Sequence, residues 1–90
     1  MKQLHLIVHG KVHGVFYRDF ITREALKLGV KGWVKNLRDG TVEIVAKAEE
    51  FKLKDFLKQC RKGPLMAFVQ NVEVKEEPPT GEFEDFNVHY

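Results

Sequence analysis

Apolar and polar residues follow two different periods along this chain, and together they predict five strands and two helices. A period of two, or a short apolar run, predicts strands at residues 4–9, 30–37, 41–48, 67–75 and 83–90. A helical period predicts helices over residues 16–28 and 49–62, which end at Gly29 and at Gly63-Pro64. Between the second and third strands, Asp39-Gly40 is a strong signal for a hairpin turn.

The order of these elements is β-α-β-β-α-β, followed by a short C-terminal strand. This order predicts an α+β fold, the ferredoxin-like split-βαβ sandwich, with an antiparallel sheet and both helices on one face. At 90 residues the chain is expected to form a single domain, residues 1–90. Because the fold supports many unrelated activities, it leaves the chemistry open.

Composition excludes several classes of protein. No stretch approaches the roughly 18–20 apolar residues of a membrane span, and the first residues are too polar for a secretory signal. The only cysteine, Cys60, leaves no partner for an internal disulfide or a cysteine-based metal cluster, so we expect a cytoplasmic setting. The net charge of +2, from 15 Lys and Arg against 13 Asp and Glu, is too balanced to indicate nucleic-acid binding by itself.

The loop after the first strand is the strongest local candidate for a binding site. Gly10 and Gly14 allow the backbone to curl and to bring its N–H groups close to a ligand. The loop leads directly into a helix N-terminus, where free N–H donors and the helix dipole favour an anion such as phosphate. The spacing of the two glycines does not match a Walker A loop.

Arg18 and Asn36 are the candidate side chains, and each has a structural alternative. A cation in the first turn of a helix opposes the dipole, so Arg18 makes sense if it grips an anion there with its guanidinium fork. The alternative is a surface ion pair with Asp19 or Glu24. Asn36 ends an apolar row of the second strand, and its spacing alone favours capping of the following turn over contact with a ligand.

The histidines and the cysteine do not predict a metal site. His5, His9 and His13 are spaced by four, but on a strand His5 and His9 lie about 13 Å apart and cannot share one ion. Cys60 falls on the apolar stripe of the second helix, which predicts an inert buried thiol.

Two segments resemble the signatures of the acylphosphatase family. The first signature usually reads Gly-x-Val-Gln-Gly-Val-x-Phe-Arg, and the chain has Gly10-Lys11-Val12-His13-Gly14-Val15-Phe16-Tyr17-Arg18. The second is matched by Gly32-Trp33-Val34-Lys35-Asn36 followed by Gly40-x-Val42. The resemblance covers essentially the whole chain. Three positions depart from the pattern: His13 stands for Gln, Tyr17 for Phe, and Ala48 for Gly.

The resemblance implies a hydrolase that cleaves an acyl phosphate to a carboxylate and inorganic phosphate. Arg18 would be the phosphate-binding catalytic arginine, Asn36 would orient the attacking water, and the backbone of residues 10–18 would cradle the phosphate. No cofactor and no metal are implied. The expected partners are a small acyl phosphate and inorganic phosphate, as product and inhibitor, with no nucleic acid, no membrane and a monomeric chain.

Two other functions remain open on the residues alone. RNA-recognition domains share the predicted fold, and Lys31-Gly32-Trp33-Val34 is similar to the start of their RNP1 motif, although Lys35 stands where an aromatic residue would follow. The other alternative is a non-catalytic domain that senses or binds anions with the same loop. The presence of both Arg18 and Asn36 argues against it, because binding alone would not need an amide to place water.

Overall fold

The computed structural model describes residues 1–90 and contains every predicted element. In chain order these are β1 (Lys2–Lys11), α1 (Tyr17–Leu28), β2 (Lys31–Asn36), β3 (Val42–Ala48), α2 (Glu50–Lys62), β4 (Phe68–Glu77) and β5 (Phe86–His89). Strand β1 extends two residues beyond its predicted bounds at each end, and β5 is shorter than predicted. Neither helix is long and apolar enough to cross a membrane.

The five strands form one sheet in the order β4-β1-β3-β2-β5. The first four are antiparallel to their neighbours, as predicted. Strand β5 instead runs parallel to β2, so the expectation of a purely antiparallel sheet was wrong at this edge. The path of the chain explains this direction. Strand β4 ends beside the start of β1, at the end of the sheet where β2 also begins. The connection from β4 to β5 crosses the sheet at that end, so β5 starts beside the start of β2 and runs parallel to it.

Both helices pack on one face of the sheet and bury a single hydrophobic core. The predicted apolar stripes are confirmed, because the side chains of Tyr17, Ile21 and Ala25 on α1 are buried, as are Leu53, Phe56 and Cys60 on α2. They form one cluster with the inward residues of the strands, which include Leu6, Val8, Val34 and Ile44. The fold is therefore the predicted ferredoxin-like sandwich, with one parallel strand added at its edge.

Two glycines allow close contacts between strands. Gly32 in β2 has φ +141°, and a Cβ atom there would lie 1.8 Å from the carbonyl oxygen of Val45. Gly10 has φ +131° beside a register shift in β1, and its Cβ would lie 2.1 Å from the carbonyl oxygen of Phe68. Because both neighbours are backbone atoms, any side chain would force the strands apart.

The topology brings the two predicted site segments to one end of the sheet. Strands β1 and β2 run in the same direction, since both are antiparallel to β3. The loop after β1 and the last residue of β2 therefore lie at the same end. Strand β5 runs the same way, so its C-terminal end joins them.

Candidate active site

A cavity of about 370 Å³ lies at this end of the sheet and contains most of the predicted site. Ten residues line it: Val12, Gly14, Phe16, Tyr17, Arg18, Asp19, Thr22, Asn36, Val88 and Tyr90. Arg18 and Asn36, which are far apart in sequence, thus face the same space. Four residues of the predicted loop do not line it: Gly10, Lys11, His13 and Val15. Sequence reasoning missed four lining residues. Two of them, Asp19 and Thr22, lie on α1, and the placement of the other two, Val88 and Tyr90, depends on the parallel pairing of β5.

The loop between β1 and α1 is anchored at two points and has free N–H groups. The side chains of Val12 and Val15 are buried in the hydrophobic core and anchor the loop to it. Gly14 lies between them with φ +68°. None of the backbone hydrogen bonds made in loops and caps has its donor N–H between Val12 and Phe16. The side chain of Phe16, the N-cap residue of α1, makes no capping bond. These donors are therefore available to an anion.

Arg18 has no carboxylate partner. Asp19 pairs with Arg23, and Glu24 pairs with Lys27 at 3.3 Å, so the predicted alternative of a surface ion pair is wrong. The guanidinium instead lies over the ring of Tyr90, with its carbon 5.1 Å from the ring centroid. Such a cation–π contact fixes the guanidinium without occupying its N–H donors. A half-buried, unpaired guanidinium beside free backbone N–H groups is suited to bind a dianion.

The side chain of Asn36 does not cap the turn that follows it. That role belongs to Asp39, whose carboxylate accepts hydrogen bonds from the backbone N–H and the hydroxyl of Thr41, at 3.0 and 2.5 Å. These bonds lower the pKa of Asp39. The Oδ1 atom of Asn36 is buried and has no hydrogen-bond partner. An unsatisfied buried oxygen costs about 1–3 kcal/mol, so a residue that lines the cavity has an unfilled hydrogen-bond site in its amide.

His13 joins the loop to the hairpin that carries Asn36. Its Nε2 donates a hydrogen bond of 2.8 Å to the carbonyl oxygen of Thr41. The same oxygen accepts a bond of 2.9 Å from the N–H of Leu37, the residue next to Asn36. The side chain of His13 thus connects the two halves of the site from outside the cavity.

The other two departures from the signatures lie in the core, away from the phosphate loop or on its inner side. The hydroxyl of Tyr17 donates a hydrogen bond of 2.7 Å to the carbonyl oxygen of Cys60, which ties α1 to α2. Burial raises the pKa of the Tyr17 hydroxyl and of the Cys60 thiol, and the thiol lies in the core as predicted. Ala48 is buried and is the last residue of β3. The first residue, Val42, lies at the end of the sheet that carries the cavity, about 20 Å away.

The histidines do not form a metal centre. His5 pairs with Glu43 at 2.7 Å, and His9 pairs with Glu73, both on the sheet face opposite to the helices. No three His, Cys, Asp or Glu side chains come close enough to hold an ion together.

Comparison with known proteins finds acylphosphatases that match nearly the whole chain. The Acylphosphatase family model matches residues 4–88. The acylphosphatase of Methylococcus capsulatus is 46% identical over 88 residues, which is 98% of this chain and 96% of that protein. The acylphosphatase of Thermotoga maritima is 48% identical over 90 residues, 100% of this chain and 99% of that protein. The crystal structure of the Bacillus subtilis acylphosphatase superposes with a TM-score of 0.97 at 37% identity, with 100% of both chains covered. Sequence and structure agree over the full length, and the chain belongs to the acylphosphatase family.

Proposed function

We propose that this chain hydrolyses acyl phosphates to a carboxylate and inorganic phosphate by direct in-line attack of water, without a metal or a covalent intermediate. One observation supports this most strongly. Arg18, whose guanidinium has no carboxylate partner, and Asn36, whose buried Oδ1 has no hydrogen-bond partner, line the same cavity beside a loop with free N–H groups. The first group suits a phosphoryl dianion, and the second suits a water molecule next to it.

In this proposal the loop and Arg18 hold the phosphoryl group. The guanidinium fork binds two phosphoryl oxygens, and the backbone N–H groups at the start of α1 bind the remaining charge. The helix dipole adds to this attraction. Asp19 also lines the cavity, but its charge is offset by Arg23. These donors stabilise the charge that spreads over the phosphoryl oxygens in the transition state.

Asn36 is proposed to place the attacking water. Its side-chain amide makes a hydrogen bond to the water, so that a lone pair of the water oxygen faces phosphorus opposite to the leaving group. The new P–O bond forms while the bond between phosphorus and the acyl oxygen breaks, and the carboxylate leaves with the electron pair. One proton of the water stays on the attacking oxygen and the other moves to a phosphoryl oxygen, which gives dihydrogen phosphate.

Activity with benzoyl phosphate is expected to survive excess EDTA. The leaving group is a carboxylate, a stable anion that departs without help from a Lewis acid or a strong general acid. The measurement is the initial rate before and after prolonged incubation with EDTA, with inhibition by inorganic phosphate recorded in both samples. A rate that is lost with EDTA and restored by an added divalent ion would overturn the metal-free mechanism.

Replacing His13 with alanine is expected to lower kcat/KM by about tenfold, because the loop and the Asn36 hairpin lose the hydrogen bond that joins them. His13→Gln keeps a donor that can reach the Thr41 carbonyl and should recover most of the activity. Both variants are compared for kcat, for inhibition by phosphate and for thermal unfolding. Equal activity of the alanine and glutamine variants would show that the bond does not position the site.

We propose a monomer whose residues 1–90 form one domain in the cytoplasm, which agrees with the single hydrophobic core and the buried, unpaired cysteine.

Binding of nucleic acid is not proposed, because the open sheet face carries the carboxylates of Glu43 and Glu73, and Trp33 is stacked against His89 at 5.0 Å. A non-catalytic anion-binding role would leave the unsatisfied amide of Asn36 unexplained.

A further inference from the structure

The turn between α2 and β4 exposes large apolar side chains. It is closed by a hydrogen bond of 3.0 Å from the N–H of Ala67 to the carbonyl oxygen of Pro64. Its two central residues, Leu65 and Met66, are 97% and 65% exposed, and Phe68 at the start of β4 is 65% exposed. Turns usually hold small or polar residues at their centre, so formation of the turn does not explain two large apolar side chains there.

The fold does not use these three side chains, which we call the turn patch. Leu65, Met66 and Phe68 belong neither to the hydrophobic core nor to the partly buried residues packed against it. Ala67 and Val69, which alternate with them, do pack against the core and hold the turn in place. The apolar surface of the turn patch is therefore available to a partner outside the chain.

Basic side chains flank the turn patch. Arg61 and Lys62 are exposed at the end of α2, directly before the turn. Lys11 is exposed and pairs with Phe68 across β1 and β4, so their side chains lie on the same face of the sheet. None of the three cations forms an ion pair with a carboxylate.

Carboxylates are absent from the segments that carry the turn patch and its cations. Residues 1–18 and 56–72 contain six Lys and Arg but no Asp or Glu. The first carboxylate along β4, that of Glu73, is paired with His9. This part of the surface thus combines apolar side chains with uncompensated positive charge. The combination is complementary to a surface that is negatively charged outside and apolar beneath.

We propose that the turn patch binds the surface of an anionic lipid bilayer. Its three apolar side chains enter the layer below the headgroups, and the flanking cations contact the lipid phosphates. Buried apolar area and attraction to anionic lipids both contribute to binding of this kind. A stable interface with another protein takes about 20–30 residues on each side, far more than the turn patch provides. The proposal departs from the expectation that no membrane takes part, but contact at the surface needs no spanning segment.

Binding through the turn patch brings the cavity close to the bilayer. Strand β4 begins beside the last residues of β1, at the end of the sheet where the loop that lines the cavity follows β1. The turn and the cavity therefore share one end of the molecule. The inference is independent of the proposed function, because vesicle binding is measured without turnover.

The test is sedimentation of the protein with lipid vesicles at low and at high salt. Vesicles of phosphatidylcholine mixed with phosphatidylserine supply the anionic surface, and vesicles of phosphatidylcholine alone are the neutral control. The wild-type protein should bind the anionic vesicles at low salt and lose most of this binding at high salt, because salt screens the attraction. Binding to the neutral vesicles should be at least about tenfold weaker.

Two double variants locate the contact. The apolar variant, Leu65→Ser with Met66→Ser, removes the tip of the turn. The charge variant, Arg61→Gln with Lys62→Gln, removes the neighbouring cations. Each should weaken binding to the anionic vesicles by about tenfold or more.

Leu26→Ser with Lys27→Gln is the matched control. It removes one exposed apolar side chain and one exposed cation from the end of α1 that lies away from the cavity, and it should bind vesicles within about twofold of the wild type. All three double variants should keep the unfolding temperature and the hydrolysis of benzoyl phosphate in solution, since none of the residues belongs to the core or lines the cavity.

Several results would overturn the inference. They are no binding of the wild type to anionic vesicles at low salt, equal binding to neutral vesicles, and wild-type binding by the apolar variant. Two others would assign the turn patch to a different partner. Binding of soluble polyglutamate that is lost in the apolar variant would indicate an acidic polypeptide. Self-association in sedimentation equilibrium that is lost in the same variant would indicate a second copy of the chain.

Discussion

Replacing Arg18 with alanine is expected to lower kcat/KM for benzoyl phosphate by at least about a thousandfold and to abolish inhibition by inorganic phosphate. The guanidinium is the only cationic side chain that lines the cavity, and no carboxylate partner competes for it. Its removal leaves only backbone N–H groups to hold a dianion. The unfolding temperature should change little, because the guanidinium makes no ion pair with the rest of the fold.

Two companion variants make the result specific to the guanidinium fork. Arg18→Lys keeps the charge but loses the paired donors, so it should recover little activity. Arg61→Ala removes an exposed arginine of α2 that does not line the cavity and should behave like the wild type. Near-normal hydrolysis and phosphate inhibition in Arg18→Ala would show that the phosphate cradle lies elsewhere.

Replacing Asn36 with alanine is expected to lower kcat by at least about a hundredfold while inhibition by phosphate changes only slightly. A group that places water acts mainly as the transition state forms, so its loss affects the rate more than the binding of the ground state. The same substitution should leave stability unchanged or raise it, because it removes a buried oxygen without a partner.

Asp39→Ala is the matched control for this prediction. Asp39 caps the turn through Thr41, so its loss should lower the unfolding temperature and reduce kcat far less than Asn36→Ala does. The two variants thus separate catalysis from turn stability within one hairpin. An Asn36→Ala protein that is destabilised yet fully active per folded molecule would refute the role of water placement.

The periods of the sequence predicted every element of the fold, because the buried stripes of both helices and the alternation in β2 are properties of local segments. The direction of β5 was not predicted. The same residues can form an edge strand that is parallel or antiparallel to its neighbour. The direction depends on where the preceding connection crosses the sheet. Val88 and Tyr90 were missed for the same reason, since only the parallel pairing brings them to the cavity.

The motifs singled out Arg18 and Asn36, which line one cavity, but the residues alone favoured the wrong interpretation of the hairpin. Asn36 and Asp39 are both polar side chains next to the turn, and spacing does not show which one reaches the N–H of Thr41. The link through His13 was equally hidden, because it joins residues 28 positions apart. Such contacts depend on the pairing of whole strands rather than on any local pattern.

The glycines of the two motifs differ in whether a laboratory evolution experiment can replace them. Randomising the codons for Gly10 or Gly32 would fill a library with misfolded members, because a Cβ at either position meets a neighbouring strand. Gly14 has no atom within 4 Å of its Cβ position and requires only a positive φ, which asparagine tolerates. A library confined to Gly14, Phe16 and Tyr90 would reshape the mouth of the cavity while the sheet beneath it stays intact.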